Sequence, residues 1–506
     1  MILPDMLAGL ALDEAGAAPI YRQIYARIAG AVLDGRLAPG ARLPSARSLA
    51  AQLSIARGTV ETAYQLLAGE GYIVARGAAG TIVAPALDRT LLTSDGRTSS
   101  RPAVVSPPAG GMSVSPPALF RMGLPALDVF PHKIWSRLFA RHARSLGPVD
   151  LAYQPPAGHE ALRVQVARYL AVARGVSCAP EQVFITGGFQ GALGLIVRCL
   201  LQPGDVAWVE DPGYDNARNA LRLAGARIVG VPIDRDGLDV AWAVAKAPPA
   251  RLAVVTPTHQ SPLTVTLSLP RRMALLAWAA AAPAWIVEDD YDSEYRYLGK
   301  PLPALKSLDR HDRVLFVGSF SKVLSPGLRV GYLVVPPGLV ERFAAVADLL
   351  QPPPAALIQA TIAAFLEQGY LGRHIRRMRQ LYRERRTALV EALREQLSPM
   401  LDIALQPGGM HLVARLPDGT DDVALVAGLV KQGIGPSALS AWGAERPYAP
   451  GLLISFTNVD VRKAPQAARR LAEALHAAKE RKPRMRGRGE APSPTRRRTT
   501  ASWPPR

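Results

Sequence analysis

Cysteine is almost absent from this chain, with only Cys178 and Cys199 among 506 residues. Two thiols cannot build a disulfide framework, and neither stands at metal-ligand spacing, so a reducing cytoplasm is the expected setting, with both cysteines as buried packing residues. Long apolar runs are also missing. The longest uncharged apolar run, Met273 to Val287, contains Pro283 and falls short of the roughly 20 residues that a membrane span needs. The N-terminus carries Asp5, Asp13 and Glu14 where a signal peptide would have a basic segment, so a soluble protein with no membrane partner is expected. Negative charge is the third shortage. Asp and Glu number 41 against 60 Lys and Arg, a net charge of +19, which attracts polyanions and invites a nucleic-acid reading.

The basic excess is uneven, because the stretch from Lys479 to the C-terminus holds +8 of it. That tail, KERKPRMRGRGEAPSPTRRRTT, is rich in Arg, Pro, Ser and Gly and has no periodic apolar face, which predicts disorder. Nonspecific DNA contact and simple solvation both stand open for it. The remainder is too long for one core, and its pattern divides into a compact helical segment at 18–84, a Pro-, Ser- and Gly-rich linker at 85–117, and a segment at 118–478 where helical and strand-like runs alternate.

In the first segment Ile20, Ile24, Ile28 and Val32 recur at helical spacing before Gly35. Pro44 and Ser45 open a second short helix through Ala51. A third, from Arg57 to Ala68, puts Val60, Tyr64 and Leu67 on one face and leaves Arg57, Thr59 and Glu61 off it. YIVARGAAGTIVA then reads as a β-hairpin around a glycine turn. A helix, a helix-turn-helix and a wing would let the third helix enter a major groove while flanking groups hold phosphates; on pattern alone a small helical domain for protein contact fits equally. The string from PIYRQIYARIAG through LPSARSLAAQLSIARGTVETAY to GTIVA resembles the GntR family of winged-helix regulators. That resemblance implies double-stranded DNA as partner and contacts from Arg47, Arg57, Gly58, Thr59 and Gly77. Two positions depart from it: Ala56 stands where the family has a Ser or Thr N-cap, and Glu61 where many relatives have Arg.

Seven short runs in the third segment are apolar nearly throughout, at 182–186, 206–210, 227–232, 252–256, 284–289, 313–319 and 330–336. They read as strands buried on both faces of a mainly parallel sheet, with helices at Gln190–Leu201, Asp215–Ala224 and Pro270–Ala282 between them. Ligands in such sheets sit beyond the carboxyl ends of the strands, and the distinctive residues fall there: GGFQ, EDPGY, TPTHQSP, EDDYDSE and SFSKVLSPGLRVGY. An aldehyde cofactor with a phosphate arm and a pyridine ring needs a lysine amine, a carboxylate for the ring nitrogen, a hydroxyl for the ring oxygen and an anion cradle. Lys322 lies beside Ser319 and Ser321 and shortly before Arg329. Asp289 ends a buried strand, where a cationic partner is expected for it.

These motifs resemble fold-type I pyridoxal-phosphate enzymes of the aspartate aminotransferase superfamily. In this order behind a winged helix, they are similar to the MocR subfamily of GntR regulators. The resemblance implies an α/β fold: a winged helix-turn-helix followed by a fold-type I transferase domain with a seven-stranded, mainly parallel sheet and a smaller C-terminal α+β subdomain. It implies pyridoxal 5'-phosphate as cofactor, with Lys322 as the Schiff-base lysine, Asp289 on the ring nitrogen, Tyr291 on the ring oxygen and Tyr214 stacked on the ring. Gly188, Phe189, Gln190, Ser319, Ser321 and Arg329 would bind phosphate, and Tyr153 would reach the partner's phosphate in a homodimer. His259 stands between a pocket role and a structural one, and no metal is expected.

Where enzymes of this fold carry a substrate-binding Arg near the C-terminus, GLLISF places Leu453, and the N-P-T-G loop of the enzymes reads SPLT, with Ser261 and Thr264. The first reading is a transcriptional regulator that senses an amine, an amino acid or a B6 vitamer. A working aminotransferase with an accessory DNA-binding head, and a scaffold that no longer binds cofactor, are the alternatives.

Overall fold

The computed structural model describes residues 18–77, 80–85, 118–299, 302–350, 352–444 and 448–480. The linker beyond its first residue and the tail beyond Glu480 lie outside the described residues. The chain divides into two units, Met1–Ser106 and Pro107–Arg506.

In the first unit, α1 (Ile20–Leu33) buries Ile24, Ile28 and Val32 along one stripe, and Gly35, at φ 72°, turns the chain away. β1 (Arg42–Leu43) leads into α2 (Ala46–Leu53), whose N-cap Ser45 accepts the Ser48 N–H at 3.1 Å. α3 (Arg57–Gly69) starts without a side-chain cap, because its N-cap is Ala56. The Tyr64 hydroxyl donates to the Pro44 carbonyl at 2.8 Å, tying α3 to the turn before α2. β2 (Ile73–Ala75) and β3 (Thr81–Val83) form the expected hairpin. β1 joins it through Arg42 opposite Ile82, so the wing belongs to a three-stranded sheet in the order β1-β3-β2. A two-residue extended segment was not legible as a strand, but pairing it covers one edge of β3. Leu49, Val60, Leu67, Ile73 and Val83 close the core.

The second unit is built on one large sheet. Its strands are β4 (Val183–Thr186), β5 (Val206–Asp211), β6 (Arg227–Asp234), β7 (Gly237–Leu238), β8 (Leu252–Val255), β9 (Trp285–Asp290), β10 (Val314–Ser319) and β11 (Gly331–Val334). Their order is β4-β11-β10-β9-β8-β5-β6-β7. All seven apolar runs are strands; the eighth, β7, was not expected, and is a two-residue return of the β6 hairpin pairing Ile233 with Leu238. β6, β5, β8, β9 and β10 run parallel, whereas β11 is antiparallel to both β10 and β4.

Helices cover both faces, which is why the central strands are apolar over most of their length. Among the helices of this unit are α4 (His132–Arg144), α5 (Glu160–Arg174), α6 (Phe189–Leu200), α7 (Asp215–Leu223), α8 (Leu269–Ala281), α9 (Ala356–Glu367), α10 (Tyr370–Leu397) and α11 (Ala464–Glu480). Leu193 and Ile196 of α6 and Leu221 of α7 pack on Ala207, Val209 and Leu315. Leu275 and Ala279 of α8 pack on Trp208, Ala253 and Ile286 from the opposite side. A smaller antiparallel sheet follows, formed by β12 (Asp402–Ala404), β13 (His411–Arg415), β14 (Ser437–Ala438) and β15 (Gly451–Ser455) in the order β12-β13-β15-β14. Cys199 is buried as expected, but Cys178 is only half-buried.

Candidate cofactor site and nucleic-acid interface

Strand order brings the site together. β4, β10, β9, β8 and β5 point their carboxyl ends to one edge, and β11, running the other way, contributes its first residue, Gly331, to the same edge. Gly331 lies between Thr186 of β4 and Ser319 of β10. A Cβ on Gly331 would come within 2.8 Å of the Gly188 Cα, so only glycine lets the turn after β4 close onto the turn after β10.

That turn opens α6 with Gly188 at φ 84° and open space where a Cβ would stand. The helix N-terminus with Phe189 and Gln190 faces Arg329, itself left-handed at φ 50°. Arg329 donates to the Gly187 carbonyl at 3.1 Å and to Gln190 Oε1 at 3.4 Å. Ser319 Oγ accepts the Ser321 N–H at 3.1 Å. Backbone N–H groups at a helix start, two hydroxyls and a guanidinium make an anion cradle.

Three consecutive carboxylates end β9, and the alternation of a strand gives them different work. Asp290 is clasped by Arg174 at 2.6 Å, and Arg174 also donates to Thr258 Oγ1 at 3.0 Å and to the Leu302 carbonyl at 2.8 Å. Glu288 accepts the N–H groups of Leu305 and Lys306 at 2.7 and 2.8 Å. Asp289, between them, is buried and has no ion pair or side-chain hydrogen bond among the described residues. Arg174 spends its charge on Asp290, and no cation among the described residues pairs with Asp289. Burial, then the neighbouring Asp290, push the Asp289 carboxyl well above the usual carboxylate range, while Lys322 opposes the shift. Burial pulls the Lys322 ammonium down, against the opposing pull of Asp292 and Asp289, which favours the neutral, nucleophilic amine. Its Nζ donates to the Gly123 carbonyl at 2.7 Å.

Tyr214 meets Phe189 edge-on at 5.9 Å between ring centroids and lies 6.3 Å from Trp442. Burial pushes its phenol up. Tyr291 is likewise raised, first by burial and then by Asp292 and Asp289. His259 is buried, with Nδ1 2.8 Å from Asp292 Oδ1. Tyr153 stands apart, fully exposed to solvent. Sequence reasoning missed Arg174, Glu210, Asp292 and Gly123. Glu210 binds the Thr256 N–H at 3.0 Å and the Thr256 hydroxyl at 2.6 Å, stitching the EDPGY turn to the TPTHQSP loop. Its place in a run of motif residues was the only signal, and Gly123 gave none.

Leu453 is buried in β15 among Leu263, Val413 and Leu439, with Met122, Trp442 and Tyr448 against them. Leu263 belongs to the SPLT loop, so the two departures from the enzyme pattern pack on each other. Among the described residues no cluster of His, Cys, Asp and Glu is placed to hold a metal, and no helix is long and apolar enough to cross a membrane.

On the reader unit, Arg47, Arg57 and Gly58 are exposed, Thr59 is half-buried at the start of α3, and Gly77 is exposed at φ 54° in the wing turn. Arg57 Nε and Glu61 Oε1 form an ion pair at 2.8 Å. The residues that carry the cofactor resemblance converge, except Tyr153, and those that carry the DNA resemblance lie on one short segment and its wing.

Pyridoxal phosphate fits this donor set: an anion cradle without a side chain at Gly188, a buried carboxylate without an ion pair, and a half-buried lysine whose charge Asp292 and Asp289 influence. The fold and site thus define a winged-helix reader joined to a pyridoxal-phosphate-binding domain of aminotransferase type. Comparison with known proteins agrees. Residues 20–83 match the family of bacterial regulatory proteins of the gntR type, and residues 137–471 match aminotransferase class I and II. The chain is 38% identical over 460 residues to the probable rhizopine catabolism regulatory protein MocR of Rhizobium meliloti, covering 89% of this chain and 92% of that one. It is 35% identical over 462 residues to the pyridoxine biosynthesis transcriptional regulator PdxR of Corynebacterium glutamicum, covering 90% and 96%. Among solved structures it resembles the α-aminoadipate aminotransferase LysN of Thermus thermophilus, with a TM-score of 0.66 and 30% identity over 72% of this chain and 93% of that one. The chain belongs to the MocR subfamily of GntR-type, pyridoxal-phosphate-dependent transcriptional regulators.

Proposed function

We propose that this protein is a cytoplasmic homodimeric regulator in which residues 118–478 sense an amine, an amino acid or a B6 vitamer and residues 18–84 read an operator, joined by 85–117. In this reading Lys322 carries the cofactor covalently, Asp289 pairs with its ring nitrogen, Tyr291 meets its ring oxygen and Tyr214 stacks on it. Gly188, Phe189, Gln190, Ser319, Ser321 and Arg329 hold the phosphate. The bound cofactor supplies an aldehyde that captures primary amines and a ring that withdraws electrons. Arg47, Arg57, Gly58, Thr59 and Gly77 contact DNA.

The apolar cluster around Leu453 carries the choice of sensor over enzyme. A transaminase holds its substrate's carboxylate by a bidentate guanidinium; Leu453, Leu263 and Leu439 offer nothing to that group, so an α-amino acid lacks its main anchor. The homodimer is supported by Tyr153, 104% exposed, and by the neighbouring Val149 and Leu151 at 82% and 73%, apolar surface that a second copy would cover. An effector switches the dimer only if it binds two arrangements with different affinity.

The test incubates holoprotein with amino donors, vitamers and a keto acid, following the cofactor's visible absorbance and the affinity for upstream DNA. The expected result is a spectral change and a shift in DNA affinity without repeated turnover. Sustained transamination at about 1 s⁻¹ or faster overturns the regulator-only reading in favour of an aminotransferase with a DNA-binding head. Lys322→Ala is expected to lose the visible band; a wild-type protein that shows no such band refutes the cofactor assignment.

A further inference from the structure

α4 carries Lys133, Arg137, Arg141 and Arg144 in 13 residues and no Asp or Glu. The spacing of four, four and three puts these side chains along one face, and all four are exposed. Like charges at i,i+4 repel one another, and no carboxylate pairs with any of them among the described residues.

A second basic helix stands beside it. α10 begins YLGRHIRRMRQLYR, without an acidic residue before Glu384, and exposes Arg373, Arg376 and Arg377. Tyr370 joins the two helices. Its hydroxyl accepts from Arg137 Nη2 at 2.6 Å, and the guanidiniums of Arg137 and Arg373 lie 5.8 and 4.6 Å from its ring centroid. α9 packs against both helices from within the unit. Glu367 ends α9; Asp150 accepts the Gly147 N–H at 2.9 Å just past the far end of α4, and Asp150 and Glu160 act with His142 and Arg163 on the charge of His159. Seven cations therefore crowd one surface with few carboxylates at its margins. At 1.5 Å per residue the α4 stripe alone is about 16 Å long, against one DNA phosphate charge per about 1.7 Å of duplex axis.

We propose that this face of the aminotransferase-like unit, built by α4 and the first turns of α10, binds the phosphate backbone of duplex DNA independently of sequence. Among polyanions, DNA is favoured because the same chain carries a DNA reader; the proposal rests on that reading for the identity of the partner. Contacts of this kind add affinity wherever the duplex is long enough to engage them, and they release counterions.

The test uses the full-length holoprotein and mixed-sequence duplexes of about 20 and about 60 base pairs, titrated over a range of salt. The variant combines Lys133→Gln, Arg141→Gln, Arg144→Gln, Arg376→Gln and Arg377→Gln, leaving the Arg137–Tyr370–Arg373 contact intact. Wild type is expected to gain affinity on the longer duplex. The variant is expected to lose that gain, with a fall of about tenfold or more near physiological salt and a salt slope shallower by about 0.9 per lost phosphate contact. Arg57→Ala, by contrast, lowers affinity on both lengths, so failure of the reader assignment looks different. An unchanged affinity and slope on the long duplex overturns the proposal. So does a variant that keeps DNA binding but no longer binds phosphatidylserine vesicles, which would make the partner a membrane. If the fivefold variant loses its cofactor absorbance or melts early, the K133Q/R141Q/R144Q and R376Q/R377Q variants carry the same measurement, each expected to show part of the loss.

Discussion

Arg174 closes on Asp290 at 2.6 Å with both side chains almost wholly buried, and this pair separates the two neighbouring aspartates of β9 into different roles. Asp290 spends its charge on a structural guanidinium, and Asp289, on the other face of the strand, has none.

Arg174→Met is therefore expected to destabilise the large unit by about 3–5 kcal/mol, because it leaves a buried carboxylate uncompensated. Arg174→Met combined with Asp290→Leu should recover most of that loss. Denaturant unfolding of both variants is the measurement, and a single-variant cost below about 1 kcal/mol would show that the pair does not hold β9 in place.

Glu210 gives the pH prediction. Burial raises its carboxyl from 4.5 to about 7, partly opposed by the Thr256 and Gln260 hydrogen bonds. Between those two values the folded protein holds a proton that the unfolded chain has released, so this group lowers stability as pH rises through the window. Glu210→Gln removes that dependence. It is expected to be stabilised relative to wild type above the window, with the difference narrowing toward acid by at most about 1.4 kcal/mol per pH unit. Denaturation midpoints on either side of the window test it; a constant difference between the proteins refutes the assignment.

Glu61 is ion-paired at 2.8 Å with Arg57, a residue proposed to contact DNA. An exposed i,i+4 ion pair contributes about 0.2–1 kcal/mol, so Glu61→Ala should tighten DNA binding by roughly two- to fivefold by releasing Arg57 and removing a negative charge. Arg57→Ala should weaken it by about tenfold or more. Fluorescence anisotropy on the upstream DNA separates these outcomes, and weaker binding by the Glu61 variant would mean that the carboxylate orients Arg57 productively.

Ala56 leaves α3 uncapped, with backbone angles of φ −64° and ψ 134° that suit a capping side chain. Ala56→Ser is expected to stabilise the reader by about 1 kcal/mol, read as a higher melting temperature of its thermal transition. No gain would mean that the α3 N–H groups already have other partners.

Much of this protein is determined by its sequence alone. Buried strands are written as apolar runs because helices cover both faces of the sheet, and all seven runs fold as strands. The reader's helices are equally legible, since Ile24, Ile28 and Val32 repeat with the helical period and Ser45 and Gly35 mark boundaries. The motif residues at strand ends identify the chemistry because amine, carboxylate, hydroxyls and guanidinium have few other reasons to occur together. What tertiary structure alone decided depends on strand order and on which face a side chain takes. Asp289 and Asp290 are identical in type and adjacent, yet only the position of Arg174 tells them apart. Gly331 and Gly123 matter because a distant backbone or amine comes close, a relation that no local pattern records. The basic surface is the same kind of fact: α4 and α10 begin more than two hundred residues apart, and only folding around Tyr370 adds their charges into one face.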